Sequence, residues 1–341
     1  MMKDLIQRFP AQLKKAVEIA NNAKLSALKV PINKVVICGL GGSGIGGTIA
    51  KEILFDEATV PIEVLKSYTL PSYIDEHTLV ICSSYSGNTE ETLECYHLAQ
   101  NLKAGPNGSS GRAKIVCITS GGQILELAKK DGNDYIVVPG GSPPRSCLGY
   151  SLTQVLHILS HYKIAPQKSV EIAEAAEILE KTQESIMQEA HQIVHKLHGK
   201  MPVIYSTALH EGIAIRLRQQ LNENAKILCW HHVVPEMNHN ELVGWSHAYP
   251  EIAVILFNEK DENPRNKLRM DFCRKVFGKY AAEIIEIPSK GENTVAKKLY
   301  WIHLGDWVSM FLAEKRNVDA MDIKVIDNLK SELAGNSGNT I

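Results

Sequence analysis

The feature that most constrains the fold is a repeated rhythm of strand, small-residue turn and helix. From Lys34 onward, short β-branched runs alternate with helical stretches. The runs are KVVICGL, PIEVLKS, TLVICSS, KIVCITS and YIVVPGG; the stretches between them include GTIAKEILF, NTEETLECYHLAQNL and ILELAKKDG. This rhythm of strand, loop and helix means βαβ units, with both faces of the sheet covered. That pattern predicts a parallel sheet between two helical layers, an α/β fold of flavodoxin-like, three-layer α/β/α type. The second half repeats the plan. MPVIYSTALHEGIAIRLRQQL matches the first strand, loop and helix, and EIAVILFNEKDENPRNKLRMDFCRKVF answers TLVICSSYSGNTEETLECYHLAQ. EIIEIPSKGENTVAKKLYWIHLGDWVSMFLA answers YIVVPGGSPPRSCLGYSLTQVLHIL. An internal duplication is the economical explanation, with domains at 1–165 and 166–341. The helical stretch 166–199 links them, and a last helix is expected around 322–334. The segment Lys103 to Lys114 has turn-former composition and reads as a mobile surface loop.

Composition removes several classes of function. Lys plus Arg number 37 against 38 for Asp plus Glu, a net charge of −1. No overall field steers such a chain to nucleic acid or anionic lipid, so neither is expected as a partner. The uncharged stretch Val35 to Ala50 is glycine-rich and shorter than the ~20 residues a membrane span needs. The N-terminal MMKDLIQRFPAQLKKAVEIA carries charges throughout its apolar pattern and reads as one amphipathic helix rather than a signal peptide. Seven cysteines with no CxxC pair argue against a disulfide framework and for a reduced, cytoplasmic protein.

Two turns carry chemistry. In GLGGSGIGG, residues 39–47, Gly39, Gly41 and Gly44 satisfy the dinucleotide-binding pattern G-x-G-x-x-G, with Glu63 about 20 residues further on. Glu63, however, stands early in its strand, whereas a ribose-binding acid closes it. A tight turn using glycine only for clearance is the plainer alternative. In SSYSGNTEET, residues 83–92, Ser84, Ser86 and Thr89 surround Gly87 at a strand-to-helix junction. A single N-cap needs one such residue. Three hydroxyls beside a helix N-terminus instead suit a phosphate dianion. ITSGG, 118–122, repeats the small-polar theme and is expected in the same crevice. Among thirteen histidines, His231, His232, His239 and His247 share one loop region with Glu236, while His191 and His195 share a helix face expected to be solvated. H-E-x-x-H is absent, so no metal site and no cofactor is expected. Trp230, Trp245, Trp301 and Trp307 read as core or interface packing.

GGSGIGG, SSYSGNTEETL, ITSGG, PPRSCLGYS, LNENAK and EMNHNELVGW, in this order, resemble the bifunctional phosphoglucose/phosphomannose isomerases, a family with two sugar isomerase (SIS) domains. The resemblance implies reversible interconversion of glucose and mannose 6-phosphates with fructose 6-phosphate. It places phosphate binding on Gly42, Ser43, Ser84, Ser86 and Thr89, and contact with the sugar on Arg145. Glu223 falls on the base, His239 on the ring-opening histidine and Lys330 on a further lysine of the site. One position departs: VDAMDI places Met321 where the family has threonine, which puts any role of that threonine toward mannose 6-phosphate in doubt.

The chemistry of these residues agrees. Aldose–ketose isomerisation needs a base that moves a proton between C1 and C2 through an enediolate. Read alone, Glu223 at the end of IAIRLRQQLNE is an ordinary solvated carboxylate. His239 in its polar loop could pass protons in both directions near neutral pH, and Lys330 or Arg145 could stabilise the enediolate oxygen. A related isomerase of amino sugars or heptose phosphates is the nearest alternative. A sugar-phosphate-binding regulator would keep the serine loop without needing Glu223 or His239. In the resembling isomerases the histidine comes from a neighbouring subunit. HHVVPEMNHNELVGW, with Val233, Val234, Met237, Leu242, Val243 and Trp245, is too apolar for a free loop, so burial against a second copy is expected. That would make a homodimer with shared active sites.

Overall fold

Residues 1–102 and 111–336 are described by a computed structural model, so most of the expected loop at Lys103–Lys114 lies outside the described residues. The chain opens with α1 (Met2–Gln7) and α2 (Phe9–Asn22). This is two helices where one was expected. Pro10 lacks an N–H and its ring would meet the carbonyl four residues back, so it sits in the first turn of α2 rather than continuing α1. The first half then runs β1 (Lys34–Cys38), α3 (Gly41–Ile53), β2 (Ile62–Leu65), β3 (Thr78–Ser83), α4 (Glu90–Gln100), β4 (Lys114–Thr119), α5 (Gly122–Asp131), β5 (Asp134–Val137) and α6 (Leu148–His161). The second half runs α7 (Ser169–Leu197), β6 (Met201–Thr207), α8 (Glu211–Glu223), β7 (Trp230–Val234), β8 (Tyr249–Asn258), α9 (Pro264–Tyr280), β9 (Ala281–Pro288), α10 (Thr294–Lys315) and α11 (Lys324–Asn336).

All pairings are parallel, in a five-stranded sheet ordered β2-β1-β3-β4-β5 and a four-stranded sheet ordered β7-β6-β8-β9. The shared order confirms the duplication, with one correction. β9 pairs with β8, the place β4 takes beside β3, not the place of β5. Among the described residues the second half has one strand–helix unit fewer than the first, which element order alone conceals.

Alternation along each strand sends side chains to two cores. In the first sheet Val35, Ile37, Leu79 and Ile81 face one layer, and Val36, Cys38, Val80 and Cys82 face α4 and α5. The first of these layers is shared. It joins residues of α2, α3, α6, α7, α8 and α10 to Ile204, Ile255 and Ile285 of the second sheet, so the helices between the sheets serve both halves. A buried ion pair crosses this layer: Lys298 of α10 reaches Glu52 of α3 at 2.7 Å. Trp301 and Trp307 of α10 are fully buried, Trp245 lies beneath the second sheet, and Trp230 on the edge strand β7 is exposed.

The same layer buries His303. Its ring stacks on Phe9 with centroids 5.5 Å apart, and its Nε2 accepts the Trp307 indole N–H at 3.2 Å. Burial pushes its pKa down to about 3. The folded protein therefore holds this histidine neutral, while the unfolded chain takes up a proton below its usual pKa of about 6.5. Stability is then fully present above that pH and declines as pH falls toward 3. Between pH 7 and pH 5.5, urea denaturation should show wild type losing about 1 kcal/mol more than His303→Leu. Equal losses would contradict the assignment.

Candidate active site

In a sheet of order 2-1-3-4-5, the loops leaving β1 and β3 diverge and open a crevice at the strands' C-terminal ends. The glycine turn and the serine loop meet there. Ser43 Oγ accepts the Tyr85 N–H at 3.0 Å. Ser84 is buried; its Oγ accepts the Gly87 N–H at 3.1 Å and donates to Thr89 Oγ1 at 2.8 Å. Ser86 is exposed at the rim, where its Oγ accepts the Asn88 N–H at 3.2 Å. Gly87 has φ +72° and a side chain there would strike the Gly121 carbonyl, so only glycine fits. The ITSGG segment packs on this loop as expected: Ser120 donates to the Tyr85 carbonyl and Ile124 N–H to that of Gly87. The result is a neutral cradle of hydroxyls and backbone N–H groups at the start of α4. Glu63, the candidate ribose ligand, instead sits exposed on β2 and accepts a hydrogen bond from Tyr73.

Beside the cradle stands a pair of opposite charges that come from the two halves. Pro144–Ser146 form a 3-10 turn, and a Cβ on Gly42 would lie 2.7 Å from the Pro144 carbonyl oxygen. Glycine at 42 therefore lets the glycine turn rest directly against the turn that carries Arg145. The Arg145 side chain is only 3% exposed. Its Nε donates to Asn224 Oδ1 at 2.8 Å, one terminal nitrogen to the Ala320 carbonyl at 2.6 Å, and the other to Glu223 Oε2 at 3.4 Å. Burial lowers its pKa, the neighbouring Glu223 carboxylate opposes that, and Arg216 adds to it. Arginine nonetheless stays charged throughout the working pH range.

A second, fully buried layer holds this arrangement. Arg216 donates to the Arg145 carbonyl at 2.7 Å and bridges both Asp306 oxygens at 2.9 and 3.0 Å. Gln220 donates to Asp306 at 2.7 Å, and Asn224 to Ser309 at 2.9 Å. Burial pushes the Asp306 pKa up, against the pull of Arg216 and Gln220. Sequence reasoning missed Asn224, Arg216, Gln220, Asp306 and Ser309. One signal was legible: Asp306 interrupts the apolar run LYWIHLGDWVSMFLA, and a buried charge needs a partner.

Two expected members stand elsewhere. Glu223 closes α8 at the end of the second sheet from which its strands start, whereas His239 follows the far end of β7. The 13 residues of α8 separate those ends by about 20 Å. His239 is exposed, in a 3-10 turn over Glu236–His239. The apolar character of its segment has another cause than the one expected. Val234, Met237 and Trp245 are buried in their own domain against Tyr205 and Phe277, and only Val243 stands clear at 80% exposure. Lys330, on the exposed helix α11, lies 3.5 Å from Asp327 with its side chain 66% exposed. Met321 follows Ala320, whose carbonyl holds Arg145, and so lies at the rim of the charged pair. Among the other histidines, His232 bonds Glu241 at 2.6 Å and His231 faces Glu211 at 3.6 Å. No three His, Cys, Asp or Glu side chains converge on a metal position among the described residues. His191 is exposed but stacks on Phe311, so its helix face is not simply solvated.

Two parallel α/β/α units, with a hydroxyl-lined crevice in one and an ion pair spanning both, place the chain in the class of proteins with two SIS-type domains. The fold matches the C-terminal domain of glucosamine-fructose-6-phosphate aminotransferase from Francisella tularensis with a TM-score of 0.70 at 15% identity, covering 94% of this chain and 97% of that one. Residues 186–333 match the model of the bacterial phospho-glucose isomerase C-terminal SIS domain. Curated relatives named bifunctional phosphoglucose/phosphomannose isomerase include one from Aquifex aeolicus, 40% identical over 89% of this chain and 91% of the relative. Another, from Caldicellulosiruptor bescii, is 36% identical over 98% and 99%. The chain belongs to the bifunctional phosphoglucose/phosphomannose isomerase family.

The Gly42 contact can be tested apart from any activity. Gly42→Ala forces its Cβ onto backbone that cannot yield without moving Arg145, an overpacking that should cost about 1–3 kcal/mol in chemical denaturation. An unchanged midpoint would mean that the turn does not rest on this glycine.

Proposed function

We propose that the protein interconverts fructose 6-phosphate with glucose 6-phosphate and, as a second aldose, mannose 6-phosphate. The observation that carries this reading is the ion pair of Arg145 and Glu223 set directly beside the hydroxyl cradle. The phosphate would be held by Gly42, Ser43, Ser84, Ser86 and Thr89, leaving C1 and C2 to face Glu223. The carboxylate takes a proton from one carbon and returns it to the other through a cis-enediolate. Arg145 neutralises the oxygen on which charge develops; being preorganised by Asn224 and Ala320, it need not move to do so. Glucose and mannose 6-phosphates differ at C2 alone, so one enediolate protonated on either face gives both. Met321 offers no hydroxyl at its own position, so no hydroxyl of residue 321 sets the product ratio.

Ring opening needs a second proton-transfer group, assigned to His239. Its place at the far end of β7 from Glu223 supports a homodimer in which the partner's copy completes each site. Lys330 on the exposed α11 would join the site by the same association or by movement of that helix. Seven free cysteines, six of them buried, support a reduced cytoplasmic setting. No helix among the described residues is long and apolar enough to cross a membrane.

Wild type should convert fructose 6-phosphate into both aldoses in a coupled assay. Glu223→Gln should lower kcat for both by at least ~10²-fold with little change in KM, because the amide keeps shape but not basicity. Loss of one product only would separate the two reactions. Near-normal turnover would remove Glu223 from the mechanism, and turnover confined to an amino-sugar phosphate would move the substrate class.

A further inference from the structure

The motif LNENAK holds, besides Glu223, one charged side chain that the reaction leaves unused, Lys226. It follows the end of α8 with φ +55°, in the left-handed region where a side chain is strained and where glycine or asparagine commonly ends a helix. The strained turn is pinned from outside. Arg316 donates to the Ala225 carbonyl at 2.9 Å and to the Lys226 carbonyl at 3.4 Å. The ammonium turns back and donates to the main-chain carbonyl of Glu223. Arg145 and Glu223 face it from the site, and Asp319 and Asp322 from the segment after α10. Burial and then Arg145 lower its pKa, while Asp322, Asp319 and Glu223 hold it up. Lys163 follows α6 in the same conformation, so what sets Lys226 apart is its ammonium, which returns to the Glu223 carbonyl beside the charged pair.

We propose that Lys226 is a positioning residue of the site: its ammonium, anchored on the Glu223 carbonyl, fixes the end of α8 so that the Glu223 carboxylate faces the sugar, and it adds a second positive charge beside Arg145. This rests on the reading of Glu223 as the base. Arg145 spends two of its three bonded nitrogens on Asn224 and Ala320, which leaves one toward Glu223. A second cation at the same place offsets the charge of Asp319 and Asp322, which would otherwise oppose an enediolate in the crevice.

The test is Lys226→Gly, which relieves the left-handed strain, alongside Lys226→Arg, which keeps the charge. The glycine variant should fold with an undiminished melting temperature and keep KM for fructose 6-phosphate within about twofold. Its kcat should fall by about 10-fold or more, the scale of a slightly misplaced base. Lys226→Arg should restore most of kcat. Should the glycine variant fold poorly, Lys226→Met is measured in the same way. A folded variant with unchanged kcat reduces Lys226 to a helix stop and overturns the proposal. Wild type inactive on fructose 6-phosphate would instead overturn the reading of Glu223.

Discussion

Everything at the site depends on the buried guanidinium of Arg145. A cation taken almost entirely out of water must be matched by acceptors, or the fold that buries it is strongly destabilised. The acceptors come from the other half of the chain: Asn224 and Glu223 at the end of α8 and the Ala320 carbonyl after α10. Satisfying one charge therefore fixes the distance between the halves. The Arg216–Asp306 pair behind it fixes the turn that presents Arg145, and Glu52–Lys298 joins the same helices further along. Two sheets that could each carry a domain are thus bound to one helical layer and one site.

The duplication has produced one cradle, not two. At the C-terminal ends of β6 and β8, where the first half has Ser43 and the serine loop, the second half has charged side chains. Glu262 accepts from Thr207 and lies 4.0 Å from His210, and Glu259 lies 3.8 Å from His210 and 2.8 Å from Lys297. Carboxylates at that position repel the dianion that hydroxyls and backbone N–H groups would accept. The second half instead supplies α8, whose far end brings Glu223 to the first half's crevice.

The elements legible in the sequence were those dictated locally. Apolar runs such as TLVICS announced strands covered on both faces, and three hydroxyls in SSYSGNT announced an anion loop, because period and residue type suffice there. Features set by tertiary contact were not legible. Glu223 reads as a surface carboxylate until Arg145, 78 positions away in sequence, is placed against it. The apolar His239 segment suggests a subunit contact, yet Val234, Met237 and Trp245 are spent on their own domain. That the second half has, among the described residues, one strand–helix unit fewer was invisible because element order survives a difference that sheet order records. Four scattered cysteines also converge: Cys38, Cys82 and Cys117 are register partners across β1, β3 and β4, with Cys95 of α4 on the same face. Hydrogen bonds between neighbouring thiols, and after them burial, push the Cys38, Cys82 and Cys95 thiols up and so keep them protonated and unreactive.

The proposed site is assembled from two halves of one chain and completed by a second chain. It is tested most directly by mixing Glu223→Gln and His239→Ala proteins, each inactive alone, under conditions of demonstrated subunit exchange. Random exchange makes about half of the dimers mixed, and each mixed dimer has one site with both defects and one with neither. Activity should return to about a quarter of the wild-type level. No recovery despite exchange would contradict the account and place His239 and Glu223 in the same chain's site.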